Sequence, residues 1–503
     1  MSISPSSRRL FLQQAAALGG LGTAAPLALN LAALGPAAAA GATDYKALVC
    51  VFLTGGNDHA NTVLPTDAAS WSVYQSVRKP GNDGISLRKD VAPDTTAPAC
   101  SPAWLGGVRP IAPARNQGRS FALHPSLAAL QSLFNDQKRL AIVSNVGTLV
   151  EPVSKASYEA RKARLPDPLF SHNDQASHWM AMAREGASQG WGGHLADAFA
   201  ADNGQSLFTA VSMAGHAVWL SGQQVRQYSL NAFGPIKYGF SRDDKGIERV
   251  GSSELAAAVI KRQATQPGGN HVLMKDLAAI HQASIGSEAQ LSAALPDVNV
   301  APYGPASTLE LTLPTKGKVM NGLAQQLRMV AAAIAAGPRL GLKRQVFFVT
   351  LPGFDTHNGQ NVRHTELMMQ LDHGLAYFDR VVQTLGLGSQ VTTFTASDFG
   401  RTFTSNGDGT DHGWGSHQFV MGGAVQGGDI HGTFPTYVPK NTQNNGFDAG
   451  SELLYNGVLL PQQAAVQMGA TLGRWFGLSP SQLLGVFPQL ANFASSDLGF
   501  MKA

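Results

Sequence analysis

The chain has 503 residues, of which 44% are hydrophobic and only 14% charged, so it can bury a sizeable core and must rely on uncharged polar groups at its surface. The formal charge is +4 and no run of Lys and Arg stands out, which argues against a nucleic-acid partner. Two cysteines, Cys50 and Cys100, are too few for a disulfide scaffold. An oxidising compartment would permit one bridge between them, but Cys50 falls in an expected buried strand, and free thiols are the expectation.

The N-terminal stretch Ser7-Arg8-Arg9-Leu10-Phe11-Leu12 precedes an apolar, alanine-rich segment from Ala15 to about Leu34, followed by small residues through Ala40. A charged head, a modest apolar middle and a small-residue cleavage site read as an export signal of the twin-arginine type. Residues 1–40 are therefore expected to lie outside the fold, with the twin-arginine translocon as the export partner. The apolar segment is diluted by Gly, Asn and Pro36, so no stable membrane span is expected after signal removal. The working protein is expected to be periplasmic or otherwise exported, with residues 41–503 forming its domain.

Lys46–Leu53 is a continuous apolar run of strand length. Such runs, without alternation, suggest strands buried on both faces. The pattern recurs at Leu140–Ser144, Leu207–Ser212, Gln345–Leu351 and Val391–Thr395, and more weakly at His417–Met421. Between these runs lie helical patterns at Ser126–Gln137, Ser252–Gln263, Met274–Ala294, Val319–Ala336, Glu366–Leu385 and Gln462–Phe476. Alternation of buried strands and helices predicts an α/β fold, a mostly parallel central sheet with helices on both faces. Ser76–Gln117 reads as an irregular excursion, Tyr303–Gly317 as a linker, and the block at about 250–340 as a possible inserted helical cap.

In open parallel sheets, ligands bind beyond the carboxyl ends of the strands. The residues found there are Asn57, Asp58 and His59 after the first strand, then Asp355 and His357, then Asp398 and Arg401, followed by a glycine-rich loop with Asp411 and His412. Carboxylates at three strand ends together with histidines form the inventory of a divalent-metal site, whether zinc, manganese or calcium. Each residue also has a structural use taken alone: Asp58 could cap a helix, Asp355 could orient a turn, and Asp398 could pair with Arg401. Ser171, followed by His172-Asn173-Asp174, could sit at a helix N-terminus either as a nucleophile or as an ordinary cap. No Gly-x-Gly-x-x-Gly follows a strand, so nothing suggests a nicotinamide or flavin.

The blocks Gly55-Gly56-Asn57-Asp58, Gly353-Phe354-Asp355-Thr356-His357, Asp398-Phe399-Gly400-Arg401-Thr402 and Gly409-Thr410-Asp411-His412-Gly413, in this order, resemble the exported bacterial domain-of-unknown-function family fifteen-oh-one. That family is similar in turn to the alkaline phosphatase and sulfatase superfamily. The resemblance implies an alkaline phosphatase-like fold and metal ligands at Asn57, Asp58, Asp355, His357, Asp398 and His412. It implies Ser171 as nucleophile, with Arg401 or a histidine, His59 or His172, holding the remaining ester oxygens. Two departures stand out. Phe399 occupies the place where the relatives carry His or Asn, and Cys100-Ser101-Pro102-Ala103 lacks the pattern of a formylglycine sulfatase. The implied activity is metal-dependent hydrolysis or transfer of phosphate or sulfate esters; the alternative is a degenerate member that binds an envelope glycan or protein. A lipase-like serine esterase shares short motifs, but its Gly-Asp-Ser start is missing from the first strand.

Overall fold

The computed structural model describes residues 44–502, apart from 80–83, 237–240, 243–246, 267–270, 442–445 and 448–451. The expected export signal at residues 1–40 lies outside the described residues.

The sheet is built from β1 (Lys46–Thr54), β2 (Leu140–Gly147), β3 (Ala210–Ser212), β4 (Tyr228–Asn231), β5 (Gly234–Pro235), β6 (Arg344–Pro352), β7 (Val391–Ser397), β8 (Ser416–Met421), β9 (Ile430–His431) and β10 (Gln463–Ala464). Its order is β9-β2-β8-β7-β1-β6-β3-β4-β5, with β10 also paired to β2. β1 lies parallel between β6 and β7, and β6, β3 and β4 continue the parallel block. β8 runs antiparallel to both of its neighbours, and β5 is antiparallel to β4. The sheet is thus mostly, but not purely, parallel.

β1 is apolar without alternation because each of its faces meets a different core. Ala47, Val49, Val51 and Leu53 pack on one side, and Leu48, Cys50 and Phe52 on the other. The first core takes its helical partners from α4 (Gly322–Ala336) and α5 (Gln360–Thr384), through Leu323, Leu327, Leu367 and Leu371. The second takes Val466, Met468, Leu472 and Phe476 from α6 (Ala465–Phe476), and Trp179 from α1 (His172–Ala181). Cys50 and Cys100 are both buried and free.

Within the block at about 250–340, α2 (Glu254–Thr265) and α3 (Val272–Ala294) pack around the small cluster of Ala257 and Ile285, while α4 belongs to the main core. The stretch read as a linker at Tyr303–Gly317 instead contributes a strand. Glu310–Leu313 pairs antiparallel with Gly317–Met320, because alternating Leu311 and Leu313 can turn toward the protein across a tight turn. Leu207 and Phe208, expected in a strand, form a single 3₁₀ turn ahead of β3. Among the described residues no helix is long and apolar enough to cross a membrane.

Candidate metal centre

β7, β1 and β6 lie side by side and end together at Ser397, Thr54 and Pro352. Their parallel alignment brings the loops Gly55–Asp58, Gly353–His357 and Asp398–Arg401 to one rim. Two further segments reach the same rim. His172 is the first residue of α1, and His412 ends a short strand, Thr410–His412, that pairs with Arg401–Ser405.

Asp355 is the centre of the cluster. Its Oδ1 lies 3.2 Å from His357 Nε2 and 3.4 Å from His412 Nε2, and its Oδ2 lies 3.5 Å from His172 Nε2. His357 Nε2 and His412 Nε2 are 2.9 Å apart. His172, Asp355 and His412 each offer one ligand atom, all within 4.8 Å of one another. The far nitrogen of every imidazole is held from behind: His172 Nδ1 by Asp398 Oδ2 at 2.7 Å, His412 Nδ1 by the Phe170 carbonyl at 2.8 Å, and His357 Nδ1 by Asp411 Oδ1 at 3.3 Å. When Nδ1 donates these bonds, each Nε2 is left as a lone pair turned toward the Asp355 carboxylate. Metal-ligating histidines are oriented in just this way.

The electrostatics follow from these contacts. The hydrogen bond that His172 donates to Asp398 raises the pKa of His172 despite partial burial. Burial lowers that of His412, and the nearby charges of His172 and Arg401 act in the same direction. Burial pushes the Asp355 carboxyl up, but the Arg401 hydrogen bond and charge outweigh it and hold the carboxyl below its usual range. Asp411 is held low in the same manner, by hydrogen bonds from Asn406, His357 and Asn456 that overcome its burial. Asp355 thus stays an anion among three imidazoles. An array of acceptor atoms facing one another calls for a cation or a proton between them.

The predicted residues divide into two groups. Asp355, His357 and His412 come together. Asp398 joins them from behind, because its Oδ2 is taken by His172 Nδ1 and the Gly55 N–H; it is a positioning residue rather than a ligand in this arrangement. His172, read as a clamp, stands among the candidate ligands. Asn57 and Asp58 are not members of the cluster. Asn57 Oδ1 faces Thr62 and His364 in the interior. Asp58 has no exposed surface, and its oxygens are bound by Arg78 at 2.6 and 2.8 Å and by Gln360 at 2.5 Å. Arg401 is likewise fully buried. It donates to Asp355 at 2.7 Å and to the Thr410 and Gly55 carbonyls, so its guanidinium fixes a candidate ligand. Ser171 caps α1, and its hydroxyl donates to Asp174 at 2.8 Å. His59 is enclosed and cannot reach an ester.

Phe399 explains the departure from the expected His or Asn. Its buried ring packs against His172 and His412, with centroids 4.8 and 4.6 Å away, and forms the floor on which both imidazoles rest. The turn before it has to leave room. Gly56 has φ +86°, and a Cβ there would lie 2.4 Å from the Phe399 ring. Gly56→Ala is therefore expected to lose at least about 1–2 kcal/mol from backbone strain alone. The ring would also have to shift, which weakens cation binding. Urea unfolding alongside metal titration checks both effects, and an unchanged midpoint would contradict the argument.

None of the curated proteins matches this chain at a significant level. Among solved structures, one similar chain is "Ps i-CgsB in complex with k-i-k-neocarrahexaose", at 8% identity and TM-score 0.31, covering 88% of this chain and 74% of that one. Another is a quadruple mutant of alkaline phosphatase PafA, at 14% identity and TM-score 0.23, covering 55% and 60% respectively. A family model matches residues 45–479, almost the whole described chain, and on that match the chain belongs to the family described as "Protein of unknown function (DUF1501)".

Proposed function

We propose that this protein is an exported, divalent-cation-dependent hydrolase or transferase of phosphate or sulfate esters. The observation that carries the reading is the set of three imidazoles, each anchored through Nδ1, whose Nε2 atoms converge on Asp355. Two nitrogens and one carboxylate in the His172, Asp355 and His412 set, with His357 alongside, suit zinc or manganese, whereas calcium takes six to eight oxygens. A divalent ion held there supplies positive charge against the charge that builds on the ester oxygens during transfer. The chain's own residues do the rest. Asp398 and the Phe170 carbonyl fix the rings, Arg401 fixes Asp355, and Phe399 keeps water from beneath. Export through the twin-arginine route is part of the same reading.

The test starts with metal content. Protein dialysed against zinc or manganese is expected to retain at least one ion per chain, and Asp355→Asn to retain none. Asp398→Asn should fold normally and bind the ion roughly 10–100-fold more weakly, because only the ring orientation is lost. Protein that stays metal-free against zinc, manganese and calcium would refute the assignment. A panel of aryl phosphates and sulfates then tests turnover. One observation favours a second reading, a binding protein for an envelope glycan or protein: the Ser171 hydroxyl is engaged in its own helix cap. Cation binding with no turnover of any ester, together with retention of envelope material, would select that reading.

A further inference from the structure

A cavity of about 490 Å³ opens beside the cluster, with His172, Asp355 and Asp398 on one wall. Phe52, Phe348 and Met180 form an apolar side, and no Lys or Arg lines it among the described residues. Its polar atoms are mainly acceptors. Thr350 Oγ1 donates to the Phe52 carbonyl at 3.1 Å, so in its 2.9 Å contact with Thr54 it accepts, and Thr54 Oγ1 is left with lone pairs. Asn173 gives one amide N–H to Glu185 and keeps its carbonyl oxygen and the second N–H. Asp398 is 2% exposed; its Oδ2 serves His172 and Gly55, while its Oδ1 is buried with no partner among the described residues. A buried carboxylate oxygen without a donor is costly unless something brings one. The cavity therefore presents mainly acceptors over an apolar base, with the second Asn173 N–H beside them.

We infer that the cavity holds the alcohol portion of the ester, and that this portion carries a hydrogen-bond donor, a hydroxyl or a protonated amine, close to the ester oxygen. The inference rests on the cation-dependent ester reading and names its substrate class. Acceptor atoms shaped around a donor reject an isostere lacking it more strongly than an apolar pocket rejects a size change.

Three non-hydrolysable phosphonates of equal length, 2-aminoethylphosphonate, 2-hydroxyethylphosphonate and propylphosphonate, test this by calorimetry on the zinc-loaded full chain. The first two are expected to bind at least about tenfold more tightly than the third, with the ratio falling toward one in Thr54→Val. Equal binding of all three, or preference for propylphosphonate, would overturn the inference and leave the cation site standing. Failure of all three to bind would also overturn it. A separate zinc titration then shows whether the ester reading falls with it.

Discussion

Acidifying the protein from about pH 6.5 toward pH 4 is expected to remove about 5 kcal/mol of stability per pH unit, enough to unfold it near pH 5. The cause is a set of four fully buried histidines. Burial lowers His59 and His364 to about 4 against the attraction of Asp58, and burial also drives His124 and His417 well below the usual histidine value. In the unfolded chain each takes a proton near 6.5, while the native fold refuses it. The unfolded state therefore binds more protons throughout this window, and each histidine subtracts about 1.4 kcal/mol per unit as the pH falls. Asp58 does not contribute there. Burial raises its pKa but Arg78 outweighs this and sets it at about 2, so its stabilisation persists to lower pH and is lost only as the carboxylate protonates. His172, raised by Asp398, works in the opposite sense to the buried four. Urea unfolding at several pH values checks the slope, and His417→Gln should flatten it by about 1.4 kcal/mol per unit. A midpoint unmoved between pH 7 and pH 5 would rule the account out.

The second large effect belongs to the ion pair that holds Asp58 away from the candidate metal centre. Arg78→Met is expected to cost about 3–5 kcal/mol, since it strands a buried carboxylate. Arg78 also donates to the Phe403 and Thr402 carbonyls and to Asn61, each at 3.0 Å, and these acceptors lose their donor as well. The double variant Asp58→Leu with Arg78→Met should recover part of the loss, because no lone charge remains. It should also bind zinc as the natural chain does. Chemical denaturation and metal titration read the two outcomes separately; loss of zinc from the folded double variant would return Asp58 to the ligand set.

Much of this was legible in the sequence. Runs such as Lys46–Leu53 announced strands buried on both faces, and Asp355, His357 and His412 were visible as chemistry at strand ends. Apolar runs carry no direction, however, so the antiparallel course of β8 had no signature. Asp58 was misread because a carboxylate after a strand looks the same whether its cation is a metal or an arginine. Its partner Arg78, 20 positions later, ends the helix Ala68–Arg78, a place where arginine is ordinary. His172 reaches Asp398 across 226 positions of chain, and no local pattern reports such a meeting. Phe399 looked like a missing ligand, when its ring instead supports two imidazoles supplied by other segments.

The candidate ligands His172, Asp355 and His412 stand on three separate stretches: the start of a helix, a strand exit and a hairpin end. An ion gripping all of them would behave as a removable staple. It binds only where folding has already gathered the three stretches, so it stabilises that state by mass action, by about 2.7 kcal/mol when free ion is a hundredfold above its dissociation constant. The endurance of the protein would then track the metal supply of its surroundings as well as its own packing.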